Sequence, residues 1–488
     1  MKRFLSLVLC VGALVAAVVP ADGRRKKADA PAVKYVFYVI GDGMGINEVL
    51  GAEEYNAATG YGPAEINFFH FPVRGFVTTY SGNSLVTDSA AGGTALASGR
   101  KTYNSAISVD MDKKPVSVLT EWAKAAGYGT GVATNVGINH ATPACFIAHT
   151  ERRQNYEDIA TQYVHNEDVD FAAGGGFIVE KNSGHDPAFF EEQARVAGIR
   201  VLHGAAEFAD VASAPGRVLC LSGKPEKDLP YRIDRKADDT RLADFVDAGI
   251  RYLDARFGDK GFFFQIEGGK VDYGGHADDA AACFQEVTDL AETMDVILAF
   301  CGKHPDESLI VVTADHETGG LMLGAGAYEM HPDRMAGQKM SQDALTAKFR
   351  AAFFPDPENG RPPRAVAEYV PPTWEQVQAF FKENLGLWDA VEVSERAEAA
   401  LKATYDRTFG AGGDREDNVA NLYSVNTRIV TEAVAVLNRA AGYSWSYGTH
   451  SGSPVGLYAW GKCAEVFGSV RDNTGIAPAI AALAGYKR

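Results

Sequence analysis

Residues 35–45 read Tyr35-Val36-Phe37-Tyr38-Val39-Ile40-Gly41-Asp42-Gly43-Met44-Gly45. The run from Tyr35 to Ile40 is continuously apolar and closes on a glycine. That suits a strand buried on both faces, since a half-exposed strand would alternate with polar residues. Asp42 follows at its end, between glycines that let another group approach the backbone closely. Similar runs occur at residues 130–134, 262–266 and 309–313, and a last one at 455–460. Helical stretches separate them at 116–126, ending at Gly127, and at 278–300, stopped by Gly302. Strands alternating with helices predict an α/β fold, a central mostly parallel sheet with helices on both faces. Ligands of such a sheet gather at the carboxyl ends of its strands.

Bulk composition narrows the function. A chain of 488 residues has room for two or three average domains, although α/β folds also run this long as one unit. With 46% hydrophobic and 23% charged residues it reads as globular. A formal net charge of −16 argues against nucleic-acid binding, which needs a basic face. Lys2 and Arg3 precede an apolar run from Phe4 to Val19, and Ala17 or Ala21 suits a cleavage site. The run is short for a membrane span of about 20 residues. We therefore expect a signal peptide at 1–22, a loose leader at 23–33, a catalytic domain at 34–488, no stable membrane span, and a secreted or periplasmic location. The mature chain keeps Cys145, Cys220, Cys283, Cys301 and Cys463, which allow at most two disulfides and read better as buried small hydrophobes.

Residues 323–442 break the α/β rhythm. Pro355, Pro357, Pro362, Pro363, Pro371 and Pro372 come early in this stretch. Thr373 and Gln376 then form a capping-box pattern, and helices are expected from there, at 394–405 and at 421–440. This predicts a helical insertion between two pieces of the sheet that folds onto the frame without supplying chemistry.

The chemistry-bearing residues cluster at predicted strand ends. Thr87-Asp88-Ser89-Ala90-Ala91 opens a helix-permissive stretch whose N-terminus would turn backbone N–H groups toward a phosphate. Ser89 is a nucleophile candidate needing a base or a metal to take its proton; Asp88 or Ser89 equally suits a plain helix cap. Asn139-His140-Ala141-Thr142-Pro143 offers a neutral oxygen for Mg²⁺, and Arg153 offers a planar fork for two phosphate oxygens. Glu267, Asp272 and His276 follow the 262–266 run, Asp315 and His316 the 309–313 run, and His450 sits on a glycine-rich loop. Mixed nitrogen and carboxylate donors of this kind suit zinc.

Taken in order, GDGMG, TDSAA, NHATP, IEGGKVD-x3-H, TADHE and THSG resemble the alkaline phosphatases. The resemblance spans about 35–327 and resumes at 446. It implies an alkaline phosphatase-like α/β sandwich and hydrolysis of small-molecule phosphate monoesters through a phosphoserine on Ser89. It further implies two Zn²⁺ ions, one held by Asp272, His276 and His450 and the other by Asp42, Asp315 and His316. One Mg²⁺ would sit with Asp42, Thr142 and Glu267, with His140 acting through a water, and Arg153 would clamp phosphate. A homodimer is also expected. His140 stands where some members carry Asp, and Tyr273 where some carry Lys or His. The competing readings are a phosphodiesterase of the same superfamily and a secreted zinc- or phosphate-binding protein without turnover. A sulfatase is disfavoured because Ser89 lacks the Cys/Ser-x-Pro-x-Arg context.

Overall fold

The computed structural model describes residues 32–488 except 181–182, 225, 325, 327, 355–368, 411–417 and 447. The expected signal peptide and most of the leader fall outside the described residues. Ala32 and Val33, expected in the leader, join the fold: their N–H groups donate to the Leu483 carbonyl, and Val33 is buried.

Nine strands form the central sheet. In chain order they are β1 (Tyr35–Gly41), β2 (Val73–Val77), β3 (Gly129–Thr134), β4 (Phe171–Gly174), β5 (Arg200–His203), β6 (Val218–Leu221), β7 (Phe262–Gly268), β8 (Ser308–Thr313) and β9 (Val455–Gly461). Across the sheet the order is β2-β9-β8-β1-β7-β3-β4-β6-β5. All neighbours pair parallel except β9, which runs against both β8 and β2. Every residue of β1, β3, β7 and β8 is buried, so these four adjacent strands are the continuous apolar runs read from the sequence.

Side-chain alternation sends β1 into two cores. Phe37 packs edge-on against Phe262 and Phe300 on one face, while Tyr38 meets Phe146 and Phe263 on the other. Helices α1 (Ile46–Thr59), α4 (Leu242–Phe257) and α6 (Ala280–Cys301) pack together on the Phe37 side. Helices α2 (Ser89–Ser98), α3 (Leu119–Ala125) and α11 (Ile476–Ala484) form the opposite layer. Among the described residues, no helix is long and apolar enough to cross a membrane. The five cysteines described are unpaired, four of them buried.

Register carries the functional consequence. Ile40 stands beside both Glu267 and Thr313, and Thr134 beside Glu267, so β8, β1, β7 and β3 end at one level. Asp42, Glu267 and Asp315 are thereby brought together, and the short helix α5 (Lys270–His276) starts directly after β7.

Residues 323–442 contain α7 (Gln342–Phe353), α8 (Trp374–Leu385), α9 (Glu395–Phe409) and α10 (Arg428–Ala441). The Thr373–Gln376 capping box forms as expected. The expected helix at 421–440 begins later, at Arg428. Asn418–Ala420 and Val425–Thr427 pair antiparallel instead, because Asn421 Oδ1 accepts the N–H groups of Tyr423 and Ser424 and closes a turn that a helix cannot accommodate. Phe349, Phe381 and Leu401 belong to the same hydrophobic core as the sheet. Much of the proline-rich entry lies outside the described residues.

Candidate active site

Helix α2 is built of small residues apart from Leu96, and all of it is buried. Asp88 caps it, accepting from Ala91 N–H at 3.0 Å, and also accepts the Ser105 N–H. Small side chains are required here: a Cβ on Gly92 would come within 2.9 Å of the Asp315 carbonyl oxygen. The helix start therefore abuts the end of β8, and Ser89 Oγ lies 3.2 Å from His316 Nε2. Arg153 Nη1 lies 3.4 Å from both Ser89 Oγ and Asp88 Oδ2, while its Nη2 donates to His140 Nε2 at 3.2 Å. Asp88 is thus a real cap and also a brace for the arginine.

The sequence-predicted ligands converge in three groups, each with donor atoms within 4.8 Å of one another: Asp272, His276 and His450; Asp42, Asp315 and His316; Asp42, His140 and Glu267. The histidine tautomers follow from their outer partners. His276 Nδ1 lies 2.9 Å from the Gly448 carbonyl and His450 Nδ1 2.9 Å from that of Thr87. A carbonyl only accepts, so each Nδ1 carries a proton and the neutral rings keep lone pairs on Nε2. These two Nε2 atoms face each other at 3.1 Å, with Asp272 oxygens at 3.5 and 3.7 Å. His316 repeats the pattern. Its Nδ1 donates to Thr318 Oγ1 at 3.2 Å, because that hydroxyl spends its own proton on Asp272. His316 Nε2 then faces Asp42 Oδ1 and Asp315 Oδ2, each at 3.4 Å.

Acceptor pointing at acceptor is unfavourable without a cation between them. A tetrahedral ion with ~2.0–2.1 Å bonds separates its ligands by roughly 3.3–3.4 Å, and the donor spacings match that separation. Asp42 Oδ1, Asp315 Oδ2 and Glu267 Oε1 are buried without hydrogen-bond partners among the described residues. Burial, reinforced by neighbouring carboxylates, pushes Asp42 well above the usual carboxylate range; burial likewise raises Asp315 and Glu267, each to about 7. Burial would also raise Asp272, but any positive charge on the histidines around it, together with the Thr318 hydroxyl that donates to it, favours its carboxylate form and holds it low. Gly43 is the hinge of this packing. Its φ is +70°, its N–H donates to Asp315 Oδ1 at 3.2 Å, and a Cβ there would sit 2.7 Å from Asp272 Oδ1.

The third group is richer in oxygen. Thr142 Oγ1 lies 3.4 Å from Asp42 Oδ2, and Glu267 Oε2 accepts from Thr134. Such a set suits Mg²⁺. His140 stands apart within it: with Nε2 accepting from Arg153, the neutral ring carries its proton on Nδ1, a buried N–H without a partner among the described residues. Burial, with Arg153 and Lys227 nearby, keeps it neutral. A donor in that position addresses a water better than a cation.

A cavity of about 370 Å³ opens over the cluster, lined by Asp88, His140, Arg153, Lys227, Tyr423 and His450 among others. A family model described as alkaline phosphatase matches residues 33–486. The chain belongs to the alkaline phosphatase family. Alkaline phosphatase 3 of Bacillus subtilis is 28% identical over 93% of this chain and 89% of its own length. The repressible alkaline phosphatase of Saccharomyces cerevisiae is 32% identical over 71% of this chain and 67% of its own. The cold-active alkaline phosphatase of a psychrophilic Shewanella superposes with a TM-score of 0.72 at 28% identity, over 92% of this chain and 99% of that one. This alkaline phosphatase is accordingly a phosphoric monoester hydrolase of α/β fold.

Two residues at the site carry no sequence motif that announces them. Thr318 orders both His316 and Asp272, and its place two residues beyond His316 was the available clue. Tyr423 is less legible. It comes from the 418–427 hairpin, donates to Asp272 Oδ2 at 2.7 Å and stacks on Tyr273 at 3.6 Å. The insertion therefore reaches the cluster through Tyr423.

Proposed function

We propose that this alkaline phosphatase hydrolyses phosphate monoesters through a phosphoserine on Ser89, at a centre holding two Zn²⁺ ions and one Mg²⁺. The observation that carries this reading is the convergence of imidazole and carboxylate acceptors at tetrahedral spacing, with His316 Nε2 3.2 Å from the Ser89 hydroxyl. Asp272, His276 and His450 would hold one zinc, Asp42, Asp315 and His316 the other, and Asp42, Thr142 and Glu267 the magnesium. When bound, the ions supply Lewis-acid stabilisation of the attacking and departing oxygens and offset the charge of the buried carboxylates.

The chain's own groups do the rest. Ser89 Oγ gives up its proton to solvent and attacks phosphorus; the bond to the ester oxygen breaks, and the alcohol leaves with a proton from solvent, Ser89 Oγ regaining a proton when the phosphoserine is later cleaved. Water then cleaves the phosphoserine and releases inorganic phosphate. Arg153 presents a planar fork to two equatorial oxygens, and Asp88 and His140 hold that fork in register. His140 N–H orients a water beside the magnesium group. The double charge of a monoester suits an arginine beside three cations better than a diester does. The alternative, a phosphodiesterase of the same superfamily, would reverse that preference. The apolar N-terminal run supports secretion or a periplasmic location, and the family resemblance supports a homodimer.

Chelation of the purified enzyme, elemental analysis and reconstitution test the reading, with matched mono- and diesters as substrates. Activity should vanish on stripping, return further with zinc and magnesium together than with either alone, and favour the monoester. Full turnover by metal-free protein, or a preference for the diester, would refute it.

A further inference from the structure

Tyr423 reaches the site along a held route. Arg350 in α7 donates to Thr427 Oγ1, Asn418 Oδ1 and the Val425 carbonyl, and Asn426 Nδ2 donates to Asp343 Oδ1, so the hairpin is tied to the insertion's first helix. At its tip Asn421 fixes the turn through the N–H groups of Tyr423 and Ser424. The Tyr423 phenol then bonds Asp272 Oδ2 at 2.7 Å, while Thr318 bonds the opposite oxygen, Oδ1. Each carboxylate oxygen thus holds one hydroxyl donor and keeps its other lone pairs toward His276 and His450. Outer hydrogen bonds of this kind set the orientation of ligating groups and commonly govern metal retention.

The ring has a second contact. It lies on Tyr273 with centroids 3.6 Å apart and planes 16° from parallel, and it stands edge-on to His276 at 5.3 Å. Tyr273 and Tyr423 together make an aromatic wall of the cavity that also holds Arg153. The geometry points to Tyr423 as a positioning residue: its hydroxyl orients Asp272 for the zinc shared with His276 and His450, and its ring sets where the ester lies. The inference rests on the zinc reading above. It makes the insertion a working part of the active site.

A tyrosine that merely packs would keep its ring contact and need its hydroxyl for nothing beyond burial. Zinc release separates the two roles. Wild type, Tyr423→Phe, Tyr423→Ala and Thr318→Val would be loaded with zinc and magnesium, and zinc transfer to a chromogenic chelator followed, with thermal melting as the folding check. Tyr423→Phe keeps the stack and should release zinc about tenfold faster or more, with a lower kcat and a KM for a small aryl phosphate within about twofold. Thr318→Val, which frees the other oxygen, should accelerate release in the same way. Tyr423→Ala should also change the ratio of KM between bulky and small monoesters. Wild-type zinc release and kcat in Tyr423→Phe would overturn the inference while leaving the zinc reading intact. A wild-type protein that retains no zinc after loading would overturn the zinc reading itself, and this inference with it.

Discussion

Ser89 Oγ lies within 3.4 Å of a buried imidazole and of a guanidinium, at the first residue of a helix. A hydroxyl there faces the positive end of the helix as well as Arg153. Replacing it by alanine removes one oxygen and none of the proposed metal ligands. Ser89→Ala should therefore lose roughly a thousandfold or more in kcat while zinc content, by elemental analysis, stays near wild type. Arg153 supplies the shape of the phosphate site as well as charge. Arg153→Ala should weaken inhibition by inorganic phosphate and cost about 10²–10³-fold on monoesters, with a smaller loss on diesters. Arg153→Lys should recover only part, since one ammonium cannot make two parallel hydrogen bonds. Equal losses on both ester types, measured side by side, would count against the clamp.

At the scale of elements, the catalytic frame was legible because buried parallel strands write themselves as uninterrupted apolar runs. Residues 35–40, 262–266 and 309–313 each led to a strand that carries Glu267 near its end or is followed within two residues by Asp42 or Asp315. Their mutual register was not written, since it depends on pairing between segments more than 200 residues apart. Residues 421–427, the turn and second strand of the hairpin, read as helix from sequence because the turn rests on one asparagine side chain, a local bond without periodicity. Tyr423 was invisible for the same reason: nothing near it in sequence resembles a site, and its partner Asp272 lies 151 positions away. Helix α2 gives the clearest element-level prediction. Asp88 caps it and also holds Ser105 and Arg153. Asp88→Ala should lower stability by about 1 kcal/mol in denaturant melts. It should also raise KM for monoesters, because the arginine loses its brace.

Across the whole molecule, the buried acids tie stability to pH and metal. Asp315 and Glu267, raised to about 7, take up protons in the metal-free fold that they would not hold when unfolded. The native state therefore binds more protons than the unfolded state between about pH 4 and 7, so stability falls as pH rises through that window. Cations that neutralise the cluster remove this loss. The gap in Tm between loaded and chelated protein should accordingly widen from pH 5 to pH 8, readable by calorimetry; a gap that stays constant would show that the acids are not carrying the metal. The central claim, that metal-organised acceptors serve a covalent step at Ser89, is tested most directly by intact mass. Loaded enzyme turning over a phosphate monoester would be quenched in acid and weighed as the whole chain. One added phosphoryl group per chain should appear, absent from Ser89→Ala and from metal-stripped protein. Steady turnover with no phosphorylated chain, or phosphorylation that survives Ser89→Ala, would contradict the account.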